Sequence, residues 1–521
     1  MLNRVLSAVS LARMPQTLDQ VLDALPRTYA GPGGAAAVVK QGQVIARHTW
    51  GFADLERRIP FTPETIFLIC SITKQFTCAV LLDRAGNPEA LDPLLAARLP
   101  GPAPRPLARE LANNQSGLRD YWALTALCGS PAEGTFTEAQ ARRLIDRARS
   151  LHFAPGTRYS YCNQNFRLLG DLLAEREGAP LGELMRRHVF DRAGMATARL
   201  TPDTSPVPGG TVGYEGSPEE GFRPAVNRIT WGGDGGVSAC LDDLIAWEKH
   251  IDATRDDPGA LYSRLSAPVT FRDGAPASYG FGLVRGPVLG RATTSHSGGL
   301  RGWRSVRLRA PTERISVAVL FNHMTEPRAA ALSLFAAALG EDVPPPVTGP
   351  AVDWAGRYIE PETGLATRLL ALPDGRVRLH FMSLPEILAP AEGSHIGGSV
   401  RLWRDASGVT MQRGMDNLSS RLVPVSGEAP RDVEGVYRCA ELGAALTFAA
   451  SGGAMHAACS GELGEGAMVP LVSYGADTWL MPCPRSLDYA PPGDWTLAFS
   501  PDRTRLRVGC WLARGVEYVR A

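Results

Sequence analysis

The sequence predicts a multidomain protein, an α/β or α+β domain over roughly the first two thirds of the chain and then two all-β antiparallel barrel domains. Three observations carry this. At 521 residues the chain exceeds what one ordinary core supports. Mixed helical and strand patterns give way after residue 340 to short alternating segments. The changeover falls at EDVPPPVTGP, whose three consecutive prolines cannot continue a helix and read as a stiff extended linker. The divisions so drawn are 1–340, a linker at 341–350, a first barrel at 351–428 and a second at 429–521.

Taken in order, Leu18, Val21, Leu22 and Leu25 recur in helical rhythm after Thr17, so a first helix is expected there. GGAAAVVKQGQVIARHTWGFAD reads as a hairpin, SITKQFTCAVLLDRAG and DDLIAWEKHIDA as helices, RISVAVLFNH as a buried strand, and SLFAAALG as a helix ending at Gly340. Beyond the linker, TRLLALPDGRVRLHFM and SVRLWRDASGVTMQRG read as antiparallel hairpins. A weak repeat aligns residues 354–380 with 433–458 through Gly356/Gly435 and Tyr358/Tyr437, hence two matched β domains. They are expected to close their own edges.

Composition narrows the function. The 54 basic residues nearly cancel the 53 acidic ones, leaving a net charge of +1 and no long run of either sign. That favours a small neutral or zwitterionic substrate over nucleic acid or an anionic membrane. The nine cysteines are never spaced as CxxC, so neither a zinc site nor a disulfide framework is signalled, and they read as reduced. The apolar run in MLNRVLSAVSLARMPQ is short and broken by Ser7 and Ser10, unlike a secretory segment. No stretch reaches the ~18 apolar residues of a membrane span. A cytoplasmic protein is expected, with Met14 a candidate start beside Met1.

Three short segments carry the chemistry. Ser71 and Lys74 stand three apart at the head of a helix, which puts the amine within reach of the hydroxyl. A lysine in a dry site can take the proton that makes serine a nucleophile, and a helix start offers free N–H groups to an oxyanion. FAPGTRYSYCNQN presents Tyr161 as a proton-transfer group and Asn163 as an amide able to hold the lysine or a substrate carbonyl. TTSHSGGLRGWR sets His296, Ser297 and Gly298 on a strand where missing side chains let a substrate backbone approach.

The order SxxK, YxN, HSG resembles the class C β-lactamase and D-alanyl-D-alanine carboxypeptidase superfamily. NNQSGLRDYW around Ser116, AGM at 193–195 and GGDGGVSACLDDLIAW add to the likeness, and His296 departs from the usual KTG lysine. With LICSITKQFTCAVLLD, YGFGL at 279–283 and the ending VGCWLARGVEYVR, nearly the whole chain looks like the bacterial D-stereospecific aminopeptidase family. That resemblance implies a β-lactamase/transpeptidase-like catalytic domain, two antiparallel barrels, a homodimer, and release of N-terminal D-residues (D-Ala, D-Ser, D-Thr) or glycine from peptides, amides and esters.

It also implies that a loop at 484–494 of the last barrel enters the cleft, with Asp488 meeting the substrate amine and Arg485 and Ser486 beside it as substrate-binding residues. A carboxylate on a capping loop would both reward a free ammonium and block longer chains. In the expected reaction Lys74 and Tyr161 deprotonate Ser71, the N–H groups of Ser71 and Gly299 form the oxyanion hole, and His296 orients Tyr161. No metal or organic cofactor is expected, since no histidine pair has ligand spacing and no phosphate-binding glycine loop follows a strand. The rivals are an esterase or D-alanyl-D-alanine carboxypeptidase on the same scaffold, and a catalytically silent scaffold whose β domains hold a partner.

Overall fold

The computed structural model describes residues 15–489 and 491–521, so the candidate start at Met14 lies outside the described residues. The first domain is built on an eight-stranded antiparallel sheet. Its order runs Ile59–Pro60, Gln43–Asp54, Gly33–Lys40, Ile315–Phe321, Trp303–Ala310, Arg291–Leu300, Leu283–Val288, Tyr279–Gly280. The segment GGAAAVVK pairs with ISVAVLF from Gly34 opposite Phe321 to Lys40 opposite Ile315, so the start and end of the domain meet mid-sheet.

Both segments are apolar at successive positions because both faces are covered. On one face Ala36, Val38, Val317 and Val319 pack against Leu22 and Leu25 of helix Leu18–Thr28 and Leu334 and Phe335 of helix Arg328–Leu339. On the other, Ala35, Ala37 and Val39 join the core under helices Thr73–Ala85 and Leu241–Ala253. The central strands are thereby fixed between two helical layers, and the long insertion between residues 61 and 278 supplies the helical side of the site.

The two β regions repeat one plan, an up-and-down meander closed on itself. In the first, consecutive strands from Gly356–Glu360 to Gly408–Arg413 pair in sequence, and the last strand bends at Leu422. Its first half, Leu418–Arg421, pairs with Gly408–Arg413 and its second, Val423–Pro424, returns to Gly356–Glu360. In the second, Gly435–Cys439 pairs with both Ala444–Ser451 and the last strand Ala513–Arg520. There the segment bent at Leu471 closes the far side, Val469–Pro470 on Ala454–Gly461 and Val472–Gly475 on Thr478–Cys483.

Tyr358 and Tyr437, which carry the sequence repeat, occupy the same buried place on the two opening strands. The turns before the last strands, 414–417 and 511–512, both press on the first domain. The Tyr159 N–H donates to the Asp416 carbonyl at 3.3 Å, and the Asp120 N–H to the Leu512 carbonyl at 2.9 Å. Among the described residues no helix is long and apolar enough to cross a membrane.

Candidate active site

Ser71 lies in a 3₁₀ turn, Cys70–Ile72, that runs straight into helix Thr73–Ala85. The turn is tight: Cys70 has φ 52, in the left-handed region that residues with a side chain rarely occupy. It is held by the Cys70 thiol on the Leu68 carbonyl (3.1 Å) and the Ser305 hydroxyl on the Ile69 carbonyl (2.9 Å). The result presents a half-buried Ser71 above a fully buried Lys74.

All three protons of the Lys74 ammonium are taken, by Ser71 Oγ at 3.0 Å, Asn163 Oδ1 at 2.8 Å and the Asp234 carbonyl at 2.5 Å. Burial lowers its pKa to about 8 against the opposing pull of Asp234, Asp120 and Asp488. A lysine poised there gives up its proton near neutral pH, as a serine base must.

Tyr161 ends the loop after Pro155 and Gly156, and Asn163 opens helix Asn163–Glu177. The Ser71 side chain is close enough to the Tyr161 phenol to oppose the rise in its pKa, and the Tyr161 ring lies 4.8 Å from Lys74 Nζ. Burial pushes the phenol well above its ordinary range, so it stays protonated. Asn163 is aimed by Asp120, which accepts from its backbone N–H (2.5 Å) and its side-chain amide (2.9 Å) and leaves the amide oxygen facing Lys74. Burial raises the Asp120 pKa to about 6.

His296 sits on strand Arg291–Leu300, buried. Its Nδ1 donates to the Ser297 carbonyl at 2.6 Å, which leaves Nε2 to accept from the Tyr279 hydroxyl at 3.1 Å. Burial, then Lys74, drives its pKa down to about 3, so the ring is neutral. It touches Tyr161 only ring to ring, centroids 6.1 Å apart, so its hydrogen bond orients Tyr279 and not Tyr161. Gly298 and Gly299 are packed from above. A Cβ at the first would strike the Ile69 carbonyl and Ser305, and at the second the ring of Tyr489.

That ring belongs to the loop 484–492, which reaches the first domain. Tyr489 lies over Gly299 and stacks on Arg304, the guanidinium 3.8 Å from the ring centre. Arg301 grips the loop backbone through the carbonyls of Ser486 (2.5 Å) and Leu487 (3.1 Å). Asp488 is half-buried, and burial with repulsion from Asp120 raises its pKa to about 7. Its charge is felt at Lys74, Tyr161 and Cys70.

The two flanking expectations are corrected. Arg485 turns outward to Glu133 (3.0 Å) and Glu215 (3.1 Å), where it anchors the loop at the surface. The Ser486 hydroxyl is spent on the Asp488 carbonyl, 2.9 Å away. The structure thus gathers Ser71, Lys74, Tyr161, Asn163, Gly299 and Asp488 and turns Arg485 and Ser486 away. Sequence reasoning missed Asp120, Asp234, Tyr279, Arg301, Arg304 and Tyr489. Asp120 and Asp234 lay inside the quoted NNQSGLRDYW and GGDGG segments, and Tyr279 began the quoted YGFGL.

Comparison with known proteins agrees with this architecture. Residues 18–341 match the family described as Beta-lactamase, and residues 347–519 that described as D-aminopeptidase, domain B. A D-aminopeptidase of Gluconobacter oxydans is 48% identical over 517 residues, spanning 96% of this chain and 98% of its own. That of Brucella ovis is 48% identical over 512 residues, spanning 97% and 98%.

Among solved structures, the octameric penicillin-binding protein homologue from Pyrococcus abyssi has a TM-score of 0.53 at 17% identity over 96% of this chain and 99% of its own. The D-amino acid amidase from Ochrobactrum anthropi SV3 in complex with D-phenylalanine has 0.51 at 19% over 61% and 98%. At these identities the likeness is one of fold. Fold and site together define a serine hydrolase of the penicillin-recognising class. Within that class the chain belongs to the D-aminopeptidase family.

Proposed function

We propose that the enzyme cleaves the bond after an N-terminal D-residue (D-Ala, D-Ser, D-Thr) or glycine in peptides, amides and esters, through an acyl-enzyme on Ser71. The observation that carries this is a buried Lys74 bonded to Ser71 Oγ at 3.0 Å, with an Asp488 carboxylate brought into the same cleft by another domain. Residues 1–340 supply the chemistry in this reading, 341–350 link them to the first barrel at 351–428, and 429–521 supply the loop.

Lys74, lowered to about 8, takes the Ser71 proton as the oxygen attacks the carbonyl. The phenol of Tyr161, still protonated, hands a proton to the departing amine and is reset by Lys74. The N–H groups of Ser71 and Gly299 meet the oxyanion, Asn163 holds the lysine, and neutral His296 keeps Tyr279 packed on Tyr161. Water then attacks the ester, using the same lysine as base. Asp488 receives the substrate ammonium, and Tyr489, packed over Gly299, narrows the cleft beside it. A homodimer goes with this reading, and a solution mass of one 55.8 kDa chain would remove that part of it.

The test is Ser71→Ala. Turnover of D-alanine p-nitroanilide should fall at least ~1000-fold, and the mass increment that intact-protein spectrometry detects with a slowly deacylating D-alanyl ester should vanish. Lys74→Ala and Tyr161→Phe should each cost on the order of 100-fold in kcat. A labelled Ser71→Ala protein would move the nucleophile elsewhere.

A further inference from the structure

The first barrel's strands Leu365–Ala371 and Val377–His380 and the second barrel's strand Thr478–Cys483 border a cavity of about 320 Å³ between the barrels. None of its lining belongs to the cluster around Ser71. Arg368, His380, Ser383, Tyr474, Leu480 and Asp494 form its wall.

Among the described residues the Arg368 side chain makes one hydrogen bond, from Nη2 to His380 Nδ1 at 3.4 Å, and no ion pair. Its Nε and the Nε2 of His380 are buried with no partner among the described residues, which native structures seldom tolerate. Burial and the Arg368 charge depress the His380 pKa, so that ring adds no charge. The Tyr474 hydroxyl is already used on the backbone of Tyr358 and Thr367. What remains is a guanidinium on one side and, at the exposed side, the Asp494 carboxylate, near enough to act on His380 yet not paired with Arg368.

We propose that this cavity binds a free α-amino acid as its zwitterion, the carboxylate on Arg368 and the ammonium on Asp494. A guanidinium fork fits a carboxylate in two-point contact. A wholly anionic ligand would meet Asp494, and an apolar one would leave both charges unpaired. The volume lies at the small end of ligand pockets. Asp494 and Gly493 are also where residues 484–492 rejoin the barrel, so an occupant is held against the root of the loop that closes the cleft.

Equilibrium dialysis of the full chain with radiolabelled D-alanine tests this, since stoichiometry separates the cavity from the cleft at Ser71. The expected curve has a component that Arg368→Gln and Asp494→Asn each weaken about 10-fold or more, while labelling of Ser71 by an acylating probe is unchanged. N-acetyl-D-alanine, lacking the ammonium, and D-alaninamide, lacking the carboxylate, should fail to displace it. Identical binding curves in wild type and in folded Asp494→Asn protein, whose exposed side chain carries little folding risk, would overturn the proposal. So would displacement by N-acetyl-D-alanine and D-alaninamide as readily as by D-alanine.

Discussion

The two barrels differ most where their fifth strands end. In the first, Ser394–Gly397 turns into Val400–Asp405 through Gly398 and Ser399 alone. In the second, Thr478–Cys483 reaches Gly493–Phe499 only after residues 484–492, although those strands pair to the last residue, Cys483 opposite Gly493. A tight turn would close either hairpin, so the longer excursion serves something outside the barrel. The framework repeats and one turn diverges, which is how function is usually added to a rigid scaffold.

The sharpest way to break the comparison is to make the second barrel like the first. Replacing residues 484–492 by the Gly-Ser turn of 398–399 removes Asp488, Tyr489 and the Arg301 anchor together. We expect kcat/KM for free-amine D-alanyl amides to fall by two to three orders of magnitude, roughly the scale of losing a charge-assisted contact and the enclosure around it. N-acylated D-alanyl amides should become substrates. Steady-state kinetics on the matched pair decides it, and an equal loss on both would make the loop a prop for the fold.

A smaller change isolates the charge. Asp488→Asn keeps the plug and should raise KM for free amines by roughly 10- to 100-fold, with N-acetylated substrates affected far less. The pH profile sharpens this. Because the Asp488 pKa is raised to about 7, the carboxyl is neutral below that pH and cannot pair with an ammonium. For the wild-type protein kcat/KM should therefore climb as pH rises through 7. In Asp488→Asn that rise should disappear, leaving the limb near 8 set by Lys74.

What the sequence made legible follows from this division. Ser71 with Lys74, and Tyr161 with Asn163, are short-range pairs whose geometry a helix start or a tight turn imposes; each spacing is common by itself, and it is the order SxxK, YxN, HSG along the chain that makes them legible as a site. The barrel repeat was legible through Gly356/Gly435 and Tyr358/Tyr437 because opening strands need the same buried aromatic. The Asp234 contact was not, since the lysine is bonded through a backbone carbonyl that any residue could offer, while the carboxylate acts on it only through space and is itself bonded by the Tyr121 hydroxyl. Arg485 and Ser486 stand beside Asp488 in the sequence, but consecutive loop residues point in different directions: Arg485 is drawn outward by Glu133 and Glu215 of the first domain, while the Ser486 hydroxyl bonds the Asp488 carbonyl of its own loop. Tyr489 depends wholly on such a contact, its stacking on Arg304.

The least dramatic difference between the barrels concerns how each holds the catalytic segments. Trp511 is buried, donates from Nε1 to Asp416 Oδ2 at 3.1 Å and packs near Tyr159, so it joins both barrels to the first domain. Asn417, on the first barrel's turn, donates its amide to the Thr157 carbonyl and to Asp273, each at 3.0 Å. Trp511→Ala removes a large apolar body and leaves a cavity, a loss of about 3 to 5 kcal/mol. Asn417→Gly suits the residue's φ of 52 and costs only two partly exposed hydrogen bonds, about 1 kcal/mol. Urea midpoints should separate the two in that order. Activity before the transition should fall a few-fold for Trp511→Ala, because the Leu512 carbonyl beside it holds Asp120 and through it Asn163. It should barely change for Asn417→Gly. Equal midpoints would mean that the first barrel anchors the catalytic segments as firmly as the second, and the difference between them would reduce to the loop.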